Sequence, residues 1–509
     1  MIEKTSLWDR PERIVAVFVL STIVLWTLQC TLLQSVLSID IYETIVWGMR
    51  MEWGYSKHPP LSGWLGYFFS WVTGHSDWGM YFAAQLCLGL GVWFSYRLAR
   101  LFFDGYRAAM AALMLYLLIF YTPSETKFST YFVEIALAPL AAYTLLRALR
   151  EGSLWRWIAL GAICALGILN KYSFGLMLAA FALIVLTRRE YRRALATPGP
   201  YLAFLLFLLM ISPHLKWLWE HDFICLRHTS DRLKADHVLL MPLVVGGMAI
   251  YPLLAEALAL LLVCIPFWYR AEPAAGKGKR ERLSACFRRF FTGSLRSAAD
   301  RDALHFAAIL TLFPGAFYTL LSLFGTDIIL MWLCTVFSAS GIMILALFPI
   351  VIDRAVFRRF TVLLAVFVAI VFAVTTLDAL IRTTPSMHLD PARTVRAGEA
   401  LWRSCSSGPI PVVVGDLRYA ALFSHYSAEH PPVCEVEDEI MLGLYRDTIR
   451  RRGALLISTW EDDFDLFFRR IGRPRPKFIK YCEDYRAPLG GSIRHQRFVV
   501  GYLAPEKER

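Results

Sequence analysis

The sequence predicts a polytopic α-helical membrane protein that ends in a small α/β domain, and three observations carry that prediction. Of its 509 residues, 57% are hydrophobic and only 18% are charged, against roughly 25% charged in soluble domains. Apolar runs approaching the roughly 20 residues that a bilayer crossing takes recur along the chain. Beyond residue 381 those runs stop and shorter, strand-like ones replace them.

Taken in order, the apolar runs mark about eleven spans: 14–37, 78–99, 108–122, 131–147, 155–169, 173–187, 201–218, 238–268, 304–323, 328–350 and 360–381. The first is longer than the roughly 7–15-residue core of a signal peptide and has no small-residue cleavage site, so it reads as a retained helix. Counting alternate sides from a cytoplasmic N-terminus puts Arg97/Arg100/Arg107, Arg147/Arg150/Arg156, Arg188/Arg189/Arg192/Arg193 and Arg354/Arg358/Arg359 on the cytoplasmic side. The basic segment "AEPAAGKGKRERLSACFRRF" falls there too. This is the bias of Lys and Arg that orients membrane helices. It accounts for the net charge of +12 without nucleic acid as a partner.

The same count places 38–77, 123–130, 170–171 and 219–237 on the outer face, with the tail. A transmembrane domain of 1–381 and a periplasmic α/β domain of 382–509 are therefore expected. In the tail, "PIPVVVGDLRYAALFSHY" reads as strand, turn and helix, "GALLISTW" as a second strand and "RFVVGYLAP" as a third. Ten cysteines show no metal-ligand spacing. Three of them, Cys405, Cys434 and Cys482, fall in the tail, where an oxidising compartment permits a bridge; Cys405–Cys434 is the expected one. No Walker A motif, GxGxxG or HExxH is present, which argues against nucleotide chemistry.

The polar residues gather on the outer face. "SIDIYETIVWGMRMEWGYSKHPPLSGWL" holds Asp40, Glu43, Arg50, Glu52, Lys57 and His58. Asp40 alone would mark a membrane boundary, but Asp40 and Glu43 are three apart and share a face on a helical turn. Trp47, Trp53 and Trp64 read either as aromatic-belt residues or as platforms for a sugar ring. "TPSETKFSTYFVE" adds Glu125, Lys127 and Glu134; "LNKYSFG" adds Asn170, Lys171 and Tyr172; "SPHLKWLWEHDF" adds His214, Lys216 and Glu220. A lysine set between two apolar runs is costly unless it snorkels, pairs or lines a watery cavity, and a cavity role is favoured for Lys171. One-sided chemistry of this kind suits transfer from an anionic lipid-linked donor: a cation holds the phosphate, and a carboxylate takes the acceptor proton or stabilises developing sugar cation character.

The acidic pair after the first helix, followed by "WGYSKHPPLSGWL", resembles the first periplasmic loop of bacterial protein-mannosyltransferase-like glycosyltransferases of the GT-C fold, the group that includes the lipid A aminoarabinose transferase and the RgtA/B/C/D-like enzymes. The Lys-Tyr of "LNKYSFG" with the downstream Pro-His-Leu and Trp, and "VVVGDLRYAALFSHYSAEHPPV" in the tail, are similar to that branch. The resemblance implies a multi-pass inner-membrane transferase with its site facing the periplasm. It implies a polyprenyl-phosphate-linked sugar as donor, lipid A or another envelope molecule as acceptor, and membrane lipids as surroundings. Asp40 matches the catalytic acid, with Glu43 beside it, and Lys57 matches a residue that contacts the donor phosphate. His58, Arg50, Glu134, Lys127, Lys171, Tyr172 and His214 are the expected substrate-binding residues with it. Glu134 is the nearest acid to the carboxylate that such enzymes carry at the start of the fourth span. No cofactor is assigned, and a divalent cation between the carboxylates is left open. Glycosylation of proteins or of other envelope glycans is the alternative within this fold. A lipid or sugar transporter is the alternative outside it, but its polar residues would lie near the bilayer midplane in broken helices.

Overall fold

The computed structural model describes residues 6–122, 127–232, 241–271, 280, 297–324, 326, 328–348 and 350–506. Glu125 and most of the basic linker after residue 271 lie outside the described residues. The chain forms two compact units. One comprises Met1–Val24, Gln85–Glu125 and Thr130–Phe372; the other comprises Leu25–Ala84, Thr126–Ser129 and Ala373–Arg509.

Most helices follow the apolar runs: α1 (Pro11–Leu33), α4 (Asp77–Ala99), α5 (Gly105–Leu113), α6 (Thr130–Glu151), α7 (Leu154–Asn170) and α8 (Phe174–Thr187), then Gly199–Glu220, Met241–Ala271, Ala298–Ser322 and Arg354–Ile381. By contrast, α2 (Ile39–Gly48) and α3 (Leu61–Val72) form within 38–77, expected as a loop. The run 328–350 forms 3₁₀ turns over Leu330–Leu333 and Val336–Ala339 before a short helix Ser340–Leu347. Among the described residues, seven helices are long and apolar enough to cross a membrane, while α7 and α8 are apolar but shorter. The expected span at 108–122 is not one continuous helix. It ends as an α-helix at Leu113, tightens into a 3₁₀ turn over Met114–Leu117 and leaves helical geometry at Leu118, where Thr122 turns its hydroxyl onto the Tyr116 carbonyl.

In the larger unit, small residues set the helix packing. A Cβ at Gly161 of α7 would lie 2.3 Å from the Ala203 carbonyl oxygen, so glycine is what lets α7 and the helix Gly199–Glu220 approach backbone to backbone. One arginine from each of three clusters reaches the first turns of Ala298–Ser322. There Arg107 pairs with Asp300 at 2.6 Å, and Asp302 receives Arg150 at 2.8 Å and Arg188 at 3.5 Å. Helix ends assigned by sequence to one side therefore share ion pairs at one end of this unit.

The other unit carries a five-stranded sheet: β1 (Val413–Gly415), β2 (Val433–Glu435), β3 (Ala454–Ser458), β4 (Phe478–Tyr485) and β5 (Arg494–Leu503), in the order β2-β1-β3-β5-β4. β1, β2 and β3 run parallel, and β5 and β4 add antiparallel. All three expected strands and the helix Leu417–Tyr426 form where the apolar runs place them. β1 and β3 are fully buried, as continuous apolar runs should be. β2 and β4 were not anticipated; β2 has three residues and β4 alternates polar residues on an exposed face.

The expected Cys405–Cys434 bridge does not form; both are free thiols. Cys434 is fully buried within β2, whereas Cys405 is exposed at the end of the helix Pro391–Cys405. A thiol pointing into the sheet's core cannot reach one facing solvent.

Candidate active site

The site loop is built between α2 and α3. α2 opens after Ser38 and carries Asp40 in its first turn, where a carboxylate complements the helix dipole. It stops at Gly48, and Met51 follows with φ of +49°. Pro59 and Pro60 then end the loop, because a proline ring fixes φ and offers no N–H, and α3 begins at Leu61. α2 and α3 pack very closely: a Cβ at Gly48 would stand 2.0 Å from the Gly63 carbonyl oxygen. Between them Trp47 stacks on Tyr55 (5.5 Å, 12°), and His58 meets the Trp47 face edge-on at 5.6 Å. The Tyr55 N–H donates to the His58 carbonyl at 3.1 Å. Trp53 and Trp64 meet edge to face at 4.9 Å, and the Trp64 indole donates to the Glu52 carbonyl.

On this frame Lys57 is held between two carboxylates. Its ammonium donates to Glu43 Oε1 at 2.7 Å and to Glu435 Oε1 at 3.4 Å. Glu435 ends β2, so the tail sheet supplies an acid that a reading of the loop alone misses. Beside it, Asp438 caps the helix Glu439–Arg452 by accepting the Met441 N–H at 3.0 Å, while its second oxygen accepts the Ser56 hydroxyl at 2.6 Å. Burial pulls the Lys57 pKa down, but Glu43 and then Glu435 outweigh it and leave it raised. Burial raises the Glu435 pKa from its ordinary value, with Lys57 opposing it.

Asp40 is half-buried, and its carboxylate makes no hydrogen bond or ion pair among the described residues. Arg50 lies 5.6 Å over the Tyr55 ring, and its Nε and Nη1 are buried without hydrogen bonds. Lys127 is half-buried; its neighbour Phe128 packs on Phe69 of α3 at 6.1 Å. Asp40, Glu43, Arg50, Lys57, His58 and Lys127 thus belong to one unit.

The remaining expected residues form a cluster within the other unit. Glu134, in the second turn of α6, is 1% exposed, and Lys171, just past the end of α7, is 8% exposed. They are 3.7 Å apart, and the Ser173 hydroxyl donates to the second Glu134 oxygen at 2.9 Å. The Lys171 ammonium also lies 3.8 Å from the Tyr131 ring centroid, and Tyr131 accepts the Trp332 indole N–H. Tyr172 OH and His214 Nε2 share a hydrogen bond of 2.9 Å, and the rings His214, Trp217 and His221 stack in series. Lys171 is therefore paired rather than snorkelled. Lys216 extends outward, 3.7 Å from Glu220.

An ammonium shared by two carboxylates on a tight loop can exchange one of them for a phosphate, while an uncommitted carboxylate one helical turn away can accept a proton. Residues 57–217, which begin at Lys57, match the family described as dolichyl-phosphate-mannose-protein mannosyltransferase. The chain is similar to the lipopolysaccharide core galacturonosyltransferase RgtA of Rhizobium johnstonii, at 27% identity over 186 residues. That stretch is 36% of this chain and spans only 37% of the relative's length. In fold it is similar to ArnT of Cupriavidus metallidurans. Against the structure bound to undecaprenyl phosphate the TM-score is 0.59 at 14% identity, covering 95% of this chain and 97% of that one. Against the apo state it is 0.58 at 15% identity, covering 96% and 97%. The chain thus has the fold of ArnT, and its likeness to the dolichyl-phosphate-mannose-protein mannosyltransferase family extends over residues 57–217.

Proposed function

We propose that this protein is a membrane glycosyltransferase that moves a sugar or aminosugar from a polyprenyl phosphate to lipid A or the lipopolysaccharide core. The reaction takes place at the periplasmic face of the inner membrane. The observation that carries the reading is the Lys57 ammonium shared between Glu43 and Glu435, on the loop that opens the family match. A donor phosphate takes the place of the longer Glu435 contact, and Glu43 keeps the ammonium aimed. Asp40 takes the proton from the acceptor hydroxyl as its oxygen bonds to the anomeric carbon. The bond from that carbon to the phosphate oxygen breaks, and polyprenyl phosphate leaves with the electron pair, its charge met by Lys57.

RgtA by its name acts on lipopolysaccharide core and one ArnT structure holds undecaprenyl phosphate; both favour this acceptor and this donor. The family description names protein as an acceptor, which favours protein glycosylation as the second reading. Mass spectrometry of lipid A and core from cells with and without the gene decides between them. Loss of one sugar-sized increment, restored by the gene in trans, is the expected result. An unchanged lipid A and core would overturn the reading.

A further inference from the structure

We propose that Cys482, Asp484 and His495 form a binding site for a divalent cation of the zinc class on the exposed face of the tail sheet. The three residues lie on adjacent antiparallel strands. Asp484 of β4 is paired directly with His495 of β5, and Cys482 stands two residues along β4, so all three project from the same face of the pleat. One ligand atom from each lies within 4.8 Å of the other two, and all three side chains are exposed. Among the described residues this is the one such grouping.

The donor set selects the ion. Zinc bonds sulfur at about 2.3 Å and nitrogen or oxygen at about 2.0–2.2 Å, so the three ligand atoms need to close slightly around it. Exposed side chains do this by rotating about χ1 and χ2 while the paired backbones stay in place. The His495 Nδ1 and Asp484 Oδ1 already share a 2.6 Å hydrogen bond, which holds the imidazole toward the carboxylate. A thiolate, an imidazole and a carboxylate suit zinc and its neighbours, whereas calcium and magnesium take oxygen donors. Arg497 stands opposite Cys482 in the register and adds a positive charge nearby. Lys480, the next residue up the same face, is engaged with Glu461 at 3.2 Å. A weakly held hard cation does not overcome that charge; an ion that bonds the thiolate does. The fourth position faces solvent and takes water. Bound there, the ion ties the edge strand β4, which pairs on one side only, to β5.

A cross-strand His–Asp pair beside an unrelated cysteine is the bland reading, and cysteine chemistry separates the two. Cys405 is the other exposed thiol among the described cysteines and serves as the internal control. Full-length protein in detergent, stripped of metal with a chelator, is alkylated with and without micromolar zinc, and each site is read by peptide mass spectrometry. Zinc is expected to slow alkylation of Cys482 by an order of magnitude and leave Cys405 unchanged; magnesium and calcium protect neither. His495→Ala and Asp484→Asn should each restore the Cys482 rate in zinc. Cobalt should give a thiolate-to-metal absorption band that Cys482→Ser abolishes. Equal Cys482 rates with and without zinc, equal protection of both thiols, or protection that survives His495→Ala would each overturn the site.

Discussion

Lys57 holds apart two carboxylates that would otherwise repel. Lys57→Ala leaves Glu43 and Glu435 facing each other with no cation between them. The variant should therefore lose thermal stability at neutral pH and recover part of it toward pH 4–5, as carboxylates protonate, whereas Lys57→Arg should stay near the parent. A raised lysine pKa means that the stabilisation from its charge is in place at neutral pH. It is lost only as pH rises through the alkaline range above the ordinary 10.5. His75 gives the opposite window. Burial, with His430 stacked on it at 3.9 Å and His425 nearby, lowers its pKa from 6.5 to about 4. The folded state then binds fewer protons than the unfolded chain between those values, so stability rises with pH and falls as pH drops from 6.5 through 4. His75→Asn, which tolerates the φ of +55° at this position, should flatten that loss in a thermal melt series. The acids and bases of the loop were legible in the sequence because each interrupts an apolar context. Glu435 was not, since its pairing with Lys57 spans 378 residues and nothing local to "VCEVED" points to a loop near the other end of the chain.

At the level of elements, the α6–α7 pair depends on a buried ion pair. Removing one partner of such a pair typically costs about 3–5 kcal/mol, while replacing both by neutral groups of similar size is far milder. Lys171→Met should therefore cut the yield of folded protein sharply, by size-exclusion recovery in detergent, and Glu134→Gln with Lys171→Met should restore much of it. If the pair also serves the reaction, the double variant folds and does not transfer sugar; full activity in it would make the pair purely structural. The pairing was within reach of sequence, since both residues were singled out. The register was not, because whether the second turn of α6 meets the end of α7 depends on where each helix starts. The same holds for the segment 108–122, whose apolar composition says nothing of the break after Leu113. Asp438 illustrates an element end with two duties: Asp438→Ala removes a helix cap, worth about 1 kcal/mol, and also the Ser56 hydrogen bond. Ser56→Ala should be milder in chemical denaturation.

For the whole molecule, the positive-inside pattern predicts a cytoplasmic side for the arginine-rich helix ends and a periplasmic side for the tail. Reporter fusions after Arg193 and after Arg418 should give opposite sides; matching signals would overturn the map. The apolar runs made the membrane class readable from sequence, and the shorter strand-like runs after residue 381 did the same for the tail's α/β character. The way in which residues 25–84 and 373–509 form one unit was not, since it joins segments far apart in the chain. Asp40 tests the proposed transfer chemistry most directly, because its carboxylate makes no ion pair or hydrogen bond among the described residues. Asp40→Asn keeps size and helix position while removing the proposed base. A positioned acid–base group contributes about 10²–10⁴-fold in rate. The measurement is the rate of sugar transfer to lipid A or core, read by mass spectrometry with parent and variant at equal amounts of folded protein. The expected result is a loss of at least about a hundredfold with the melting temperature unchanged; an Asp40→Asn protein that transfers sugar at the parent rate would overturn the proposed role of Asp40.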